Sequence, residues 1–314
     1  MEFKGQNILS TKQFDKESME MLFQRAKEME EVYASQREFG EGFSKILDGK
    51  VLATLFFEPS TRTRFSFESA FLRLGGKVIS GADMIATSSI KKRESLADTG
   101  ATVSRYADII AMRHPEAGSV AKLADGSVVP VVNAGDGSNQ HPTQALLDVY
   151  TMWKEFGGNL DGKVVAMVGD LKNGRVPHSQ CDLLKYWTVK FVFVAPEALK
   201  MPGEIAAELR DEGLEVSETE SLEDGVSGAD VICATRIQEE RFESEEEAAK
   251  YTGVYVIDSE VMSRVGKDVI LMHPLPRVDE IAADVDEDPR ARYFDQVQNG
   301  LIIRMALMSL ILNG

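Results

Sequence analysis

Residues 51–74, VLATLFFEPSTRTRFSFESAFLRL, decide how this chain folds. The first seven form a short apolar, partly β-branched run behind Asp48-Gly49-Lys50, which predicts a buried strand leaving a turn. Glu58-Pro59 ends the run. From Ser60 the period turns helical, with Phe67, Phe71 and Leu74 on one face and Gly75-Gly76 as the stop, so the strand feeds straight into a helix. At the junction stand Ser60, Thr61, Arg62, Thr63 and Arg64. Hydroxyls, free backbone N–H groups and guanidinium groups converge there on the positive end of a helix dipole, a combination that suits a phosphate. One serine before a helix would be a cap, but this many polar donors in a row exceed what capping needs.

The whole chain sets the bounds. Its 314 residues are enough for about two domains, each with its own core. A net charge of −16 argues against general nucleic-acid binding and against an anionic membrane surface, and it requires any site for anionic substrates to be locally basic. Residues 1–10 carry no apolar signal core, and the apolar stretch 301–312 is interrupted by Arg304, so neither a signal nor a membrane span is expected. Cys181 and Cys233 form no C-x-x-C pair. They fit a reducing cytoplasm and argue against a cysteine-held zinc.

Outward from the central stretch, Asp15 is placed to cap a first helix with Met19, Leu22, Phe23, Ala26 and Met29 on one face. Residues 77–80 form a brief strand candidate, and 81–94, GADMIATSSIKKRE, read as a polar loop. An apolar strand over 107–112 ends at Arg113, and another over 128–132 ends at Asn133. Both deliver polar groups at the carboxyl ends, where open α/β sheets place ligands. The turn-rich run 133–144 then leads into an amphipathic helix, with His141 and Gln144 near its amino end.

A second α/β series begins at Lys163, with strands near 163–169, 190–196, 230–236 and 269–274 and helical segments between them, for instance at 205–214. This alternation predicts a second parallel sheet with right-handed crossovers. The first turn of the series, Gly169-Asp170-Leu171-Lys172-Asn173-Gly174-Arg175, lacks G-x-G-x-x-G, which weakens a dinucleotide reading. Residues 239–249 are acidic and polar. Residues 291–312 carry a helical pattern.

Taken together, Phe57-Glu58-Pro59-Ser60-Thr61-Arg62-Thr63-Arg64, Met112-Arg113-His114-Pro115, the run 133–144, Val168-Gly169-Asp170, Arg236-Ile237-Gln238 and His273-Pro274-Leu275-Pro276-Arg277 resemble the aspartate/ornithine carbamoyltransferase family over nearly the whole chain. The similarity is greatest to the catalytic chains of its aspartate branch. It implies two parallel-sheet α/β domains, the second Rossmann-like: a carbamoyl-phosphate domain of 1–141 plus 293–314, with the C-terminal helix returning to it, and an aspartate domain of 142–292. The implied reaction transfers the carbamoyl group of carbamoyl phosphate to the amine of L-aspartate in pyrimidine biosynthesis, without cofactor or metal.

By the same resemblance, carbamoyl phosphate is held by Ser60, Thr61, Arg62, Thr63, Arg113, His141 and Gln144. Ser88 and Lys92 come from the loop of a neighbouring chain, in a homotrimer with shared sites. Family members commonly have glycine after that lysine, whereas this chain has Arg93. Aspartate is held by Lys92, Arg175, Arg236, Gln238, Leu275 and Pro276, with Asn173 and Pro177 standing where the family differs. Catalytic roles fall on Arg62, Thr63, Lys92, Arg113 and His141, while Glu58, Arg175 and Arg241 are cast as an ion-pair group. A separate regulatory chain is a further implied partner. Two alternatives stay open. One is ornithine carbamoyltransferase, which typically has cysteine where Pro274 stands; the other is a phosphate-binding paralogue without catalysis.

Overall fold

The tetrapeptide Asp-Gly-Lys-Val occurs twice, at 48–51 and 161–164, and each copy opens the central strand of a parallel sheet. The computed structural model describes residues 2–38, 40, 42–87, 93–238, 241–242, 244, 246, 249–251 and 253–314. In the first copy Lys50 Nζ lies 3.1 Å from Asp108 Oδ1, and the Val51 N–H donates to Asp108 Oδ2 at 2.9 Å. In the second, Lys163 Nζ lies 3.0 Å from Asp230 Oδ1, and the Val164 N–H donates to Asp230 Oδ2 at 2.9 Å. Gly49 (φ 77°) and Gly162 (φ 78°) make the preceding turn in the left-handed region that glycine enters without penalty. One Lys–Asp device thus sets the start of both sheets and the register of the neighbouring strand.

The chain divides into two units, Met1–Leu147 with Gln298–Gly314, and Asp148–Val297. The first unit holds α1 (Lys16–Glu38), β1 (Val51–Phe56), α2 (Thr61–Arg73), β2 (Lys77–Ala82), α3 (Met84–Thr87), α4 (Leu96–Val103), β3 (Ile109–His114), α5 (Ser119–Ala124) and β4 (Val131–Asp136), followed by the start of α6 (Pro142–Glu155). Its four strands are parallel, in the order β2-β1-β3-β4. Ala53, Leu55 and Phe57 point to one face, where Ile110, Met112, Val120 and Leu123 close a core. Leu52, Thr54 and Phe56 are buried on the other face, which explains the unbroken apolar run in β1. Asp15 Oδ1 accepts from the Ser18 N–H at 2.8 Å and caps α1 as expected.

The second unit holds β5 (Val164–Val168), α7 (Arg175–Leu184), β6 (Lys190–Val194), α8 (Gly203–Asp211), β7 (Glu215–Thr219), α9 (Leu222–Val226), β8 (Val231–Ala234), α10 (Ser259–Arg264) and β9 (Ile270–Met272). Its five strands are parallel, in the order β7-β6-β5-β8-β9, the doubly wound arrangement expected of an alternating series. The last helix, α11 (Tyr293–Asn313), carries Ile302, Ile303, Met305, Ala306, Leu307, Met308, Leu310 and Ile311, all buried. A helix this apolar on every side belongs inside a fold. Its final part is tied into the first unit: the Gly5 N–H donates to Ile311 O at 2.9 Å, and Asn313 Nδ2 donates to Ile46 O at 2.9 Å.

Two elements depart from the sequence expectation. The strand expected at 128–132 runs over Val131–Asp136 instead, and the turn formers Asn133, Gly135 and Asp136 lie inside it. Residues 7–9 lie along this strand and satisfy it: the Ile8 N–H donates to Val131 O at 2.9 Å, the Asn133 N–H to Ile8 O at 2.8 Å, and Asn133 Nδ2 to Leu9 O at 3.0 Å. Polar residues can therefore occupy a buried strand. In the expected loop 81–94, β2 runs on to Ala82 and α3 follows; Ser88 and Lys92 lie outside the described residues. So does part of the acidic run 239–249.

Candidate functional site

In the first unit the polar residues gather at the carboxyl ends of β1, β3 and β4. Phe56 is in register with Arg113, and the Phe57 N–H donates to Arg113 O at 2.9 Å, so the turn leaving β1 runs beside the end of β3. Ser60 takes the N-cap position of α2 in extended conformation, yet its side chain makes no capping bond. Its hydroxyl and the first N–H groups of α2 are left for another acceptor. Thr63 is buried, while Thr61 and Arg62 are exposed.

Arg62 and Arg113 approach from different elements. Partial burial of its head group and, second, the Arg113 charge lower the pKa of Arg62. Two like charges brought together repel, and an anion between them relieves the repulsion. Arg113 Nε donates to Glu58 Oε1 at 2.6 Å, so Glu58 aligns this guanidinium from within the first unit. Next to it, burial lowers the pKa of His114, opposed by Glu116, and its ring lies 4.9 Å from that of Phe57. Nδ1 of His114 accepts the Glu116 N–H at 3.0 Å.

His141 and Gln144 are positioned by a hub that composition did not reveal. Buried Asp136 accepts from Asn133 Nδ2 (2.9 Å), the Gly118 N–H (2.9 Å), Asn139 Nδ2 (3.0 Å) and the Gln140 N–H (3.1 Å). Gly137 follows at φ 54°, and a Cβ there would meet Pro115 O at 2.6 Å. Gln140 Oε1 accepts from Thr11 Oγ1 at 2.8 Å. The chain is thereby delivered to His141, which is 5% exposed and whose carbonyl accepts the Gln144 N–H at 3.0 Å as α6 begins.

The second unit builds its own cluster around Asp170, which is fully buried after β5. Its carboxylate accepts the Asn173 N–H at 3.0 Å and the Gln238 N–H at 3.3 Å. One buried acid therefore ties the turn that launches Arg175 to the segment after β8 that carries Arg236 and Gln238. Asn173 also donates to Asp170 through Nδ2 at 3.1 Å. Pro177 is the third residue of α7, within the first turn, where a missing N–H costs little.

Leu275 and Pro276 follow β9 and are joined by a cis peptide bond. Their turn is held by His273, whose Nδ1 accepts the Leu275 N–H at 2.8 Å and whose Nε2 lies 2.7 Å from Glu280 Oε1. Glu280 Oε2 accepts the N–H groups of Val278 and Asp279, both at 3.1 Å. Burial raises the cost of the Glu280 charge, but His273 and these donors outweigh it and hold the carboxyl below its ordinary value. Among the described residues no group of three or more His, Cys, Asp or Glu side chains could hold a metal ion, and no helix is long and apolar enough to cross a membrane.

The site residues of the first unit are thus gathered at one end of its sheet, and those of the second at the carboxyl ends of its own strands. Known proteins share this arrangement of two units. Residues 6–154 match the family described as "Aspartate/ornithine carbamoyltransferase, carbamoyl-P binding domain", and residues 161–311 match "Aspartate/ornithine carbamoyltransferase, Asp/Orn binding domain". The aspartate carbamoyltransferase catalytic subunit of Thermococcus onnurineus is 48% identical over 312 residues, covering 99% of this chain and 98% of its own length. Among solved structures, the catalytic subunit of M. jannaschii aspartate transcarbamoylase is 46% identical with a TM-score of 0.89, covering 97% of each chain. The Trypanosoma cruzi aspartate transcarbamoylase in complex with N-(phosphonacetyl)-L-aspartic acid is 38% identical with a TM-score of 0.90, covering 99% of this chain and 97% of its own.

Proposed function

The chain belongs to the aspartate/ornithine carbamoyltransferase family, and from that premise we propose that it transfers the carbamoyl group of carbamoyl phosphate to L-aspartate, in pyrimidine biosynthesis. The observation that carries the phosphate half is the convergence of Arg62 and Arg113 beside a serine whose hydroxyl is not used as a cap. Ser60, Thr61, Arg62, Thr63 and Arg113 grip the phosphate. His141 faces the carbonyl oxygen and Gln144 the amino group. The aspartate amine attacks the carbamoyl carbon, the C=O electrons move to oxygen, and the C–O bond to phosphate breaks. As that bond breaks the oxyanion electrons re-form C=O, the departing phosphate takes the proton from the amine, and the products are N-carbamoyl-L-aspartate and phosphate. Thr63, Arg113 and His141 donate to the oxyanion, and one such donor in a fixed site is worth about 3 kcal/mol.

Arg175, Arg236 and Gln238 take the two carboxylates, for which the planar guanidinium fork is suited. The carbonyls of Leu275 and Pro276 accept from the amine. Leu275 sits at φ 54°, a strained position for a branched residue, and the His273–Glu280 contact holds it there. Pro274 and the Arg236-x-Gln238 pattern favour a dicarboxylate over ornithine.

Ser88 and Lys92, given by a neighbouring copy in a cyclic homotrimer, complete the phosphate grip. The open edge of β2, with Ile79 exposed, supports a neighbour on that side. A regulatory chain is the partner suggested by the name "catalytic subunit" given to relatives. Two buried cysteines without a disulfide support a cytoplasmic location.

Calorimetry with N-(phosphonacetyl)-L-aspartate tests the two-substrate reading. This compound should bind orders of magnitude tighter than inorganic phosphate, because one molecule meets the association cost for both groups. Equal affinity for the two would refute it. Mixing Arg62→Ala with Lys92→Ala chains should restore activity only if each site draws on two chains.

A further inference from the structure

Arg304 lies within the apolar α11 and is 3% exposed. Burying a guanidinium is costly, and an aliphatic side chain would fill this position more cheaply. Its contacts show what the charge is used for. Nη1 donates to Ser66 Oγ on α2 at 2.9 Å and to Gly300 O at 3.2 Å, Nη2 donates to Thr143 Oγ1 on α6 at 3.2 Å, and Cζ stands 5.0 Å from the centroid of the Phe67 ring.

These partners are not arbitrary points on the two helices. Ser66 stands one turn after Thr63, and Thr143 stands between His141 and Gln144. The planar fork therefore joins the second turn of α2, directly behind the phosphate hydroxyls, to the first turn of α6, which follows the carbonyl-facing histidine. Gly300 leaves the necessary room: a Cβ there would lie 2.9 Å from Arg304 Nη1 and 2.9 Å from Leu147 Cδ2.

We propose that Arg304 is a positioning residue for carbamoyl phosphate, fixing the spacing between the amino ends of α2 and α6 and placing a permanent positive charge behind both. The inference rests on the proposal above that these two turns hold carbamoyl phosphate. Lysine keeps the charge but cannot span two hydroxyls, so fork and field can be separated.

The test measures the Kd for inorganic phosphate by calorimetry, the KM for each substrate, and the melting temperature, in the full chain and in Arg304→Lys, Arg304→Met, Thr143→Val and Gly300→Ala. Arg304→Lys should raise the phosphate Kd and the carbamoyl phosphate KM about tenfold, and Arg304→Met should raise them further. Thr143→Val and Gly300→Ala, which keep the arginine, should each raise both about threefold, and they remain informative if the Arg304 variants fail to fold. A lower melting temperature with the phosphate Kd and carbamoyl phosphate KM unchanged in Thr143→Val and Gly300→Ala would make Arg304 a structural residue and overturn the inference. A wild-type chain that neither binds phosphate nor transfers carbamoyl would instead overturn the functional reading, and this inference with it.

Discussion

Gly169→Ala should damage the use of aspartate while leaving the phosphate grip alone. Gly169 follows β5 at φ 121°, and a Cβ there would stand 2.1 Å from Thr235 O, a backbone atom that has no rotamer with which to escape. The positive φ alone costs an alanine about 1–2 kcal/mol, and forcing a methyl into closed packing adds about 1–3 kcal/mol. Together these give a loss of about 2–5 kcal/mol, which for a unit of this size lowers the melting temperature by roughly 4–20 °C. Relief comes by pushing the ends of β5 and β8 apart, and this stretches the Asp170 link between the Arg175 turn and the Gln238 N–H. A displacement on the order of 1 Å costs up to about a hundredfold in a positioned reaction. Steady-state kinetics should therefore show the aspartate KM up at least tenfold, with phosphate affinity within twofold of wild type. An unchanged aspartate KM, or an equal loss of phosphate affinity, would refute the proposed coupling of strand ends to the aspartate cluster.

Ser60→Ala should lower stability by less than about 0.5 kcal/mol in a denaturant titration, because no capping bond is lost, yet weaken phosphate binding about tenfold; a stability loss near 1 kcal/mol would show that the hydroxyl is a cap after all. Arg93 stands at φ 69°, in the left-handed region that glycine enters without penalty. Relief of about 1–2 kcal/mol of strain against about 0.4–1 kcal/mol of added chain entropy predicts that Arg93→Gly gains roughly 0.5 kcal/mol, which chemical denaturation can resolve. Glu280 has a folded-state pKa below its unfolded value near 4.5, so its contribution to stability is complete above that value and is lost as pH falls through the lower one. Glu280→Gln should then flatten the acid limb of the stability curve between about pH 5 and 3, and an unchanged limb would dismiss the His273–Glu280 contact as a stabiliser.

The strand-to-helix junction at Ser60 was legible because an unbroken apolar run gives way to a 3.6-residue period within a few residues and the phosphate donors are neighbours in sequence. The alternating second series was legible for the same reason. Strand β4 was misplaced because Asn133 and Asp136 look like turn formers by composition; what makes them strand residues is pairing with residues 7–9 and with Gly118, remote in the chain. The positioning groups were hidden in the same way. Asp170 meets Gln238 across 68 residues, and Arg304 meets Thr143 across 161, so no local pattern pairs them. The repeated Asp-Gly-Lys-Val was the one long-range signal available in the string itself, since the acids it recruits, Asp108 and Asp230, each follow an alanine and precede an apolar strand.

Carbamoyl transfer can be followed from both substrates at once. The purified chain is given radiolabelled carbamoyl phosphate with L-aspartate or with L-ornithine, and both the labelled product and the released phosphate are counted. Labelled N-carbamoyl-L-aspartate should form with one phosphate released for each carbamoyl group transferred, and ornithine should give no citrulline. Citrulline formation, or phosphate release indifferent to either amino acid, would contradict the proposed transfer to L-aspartate.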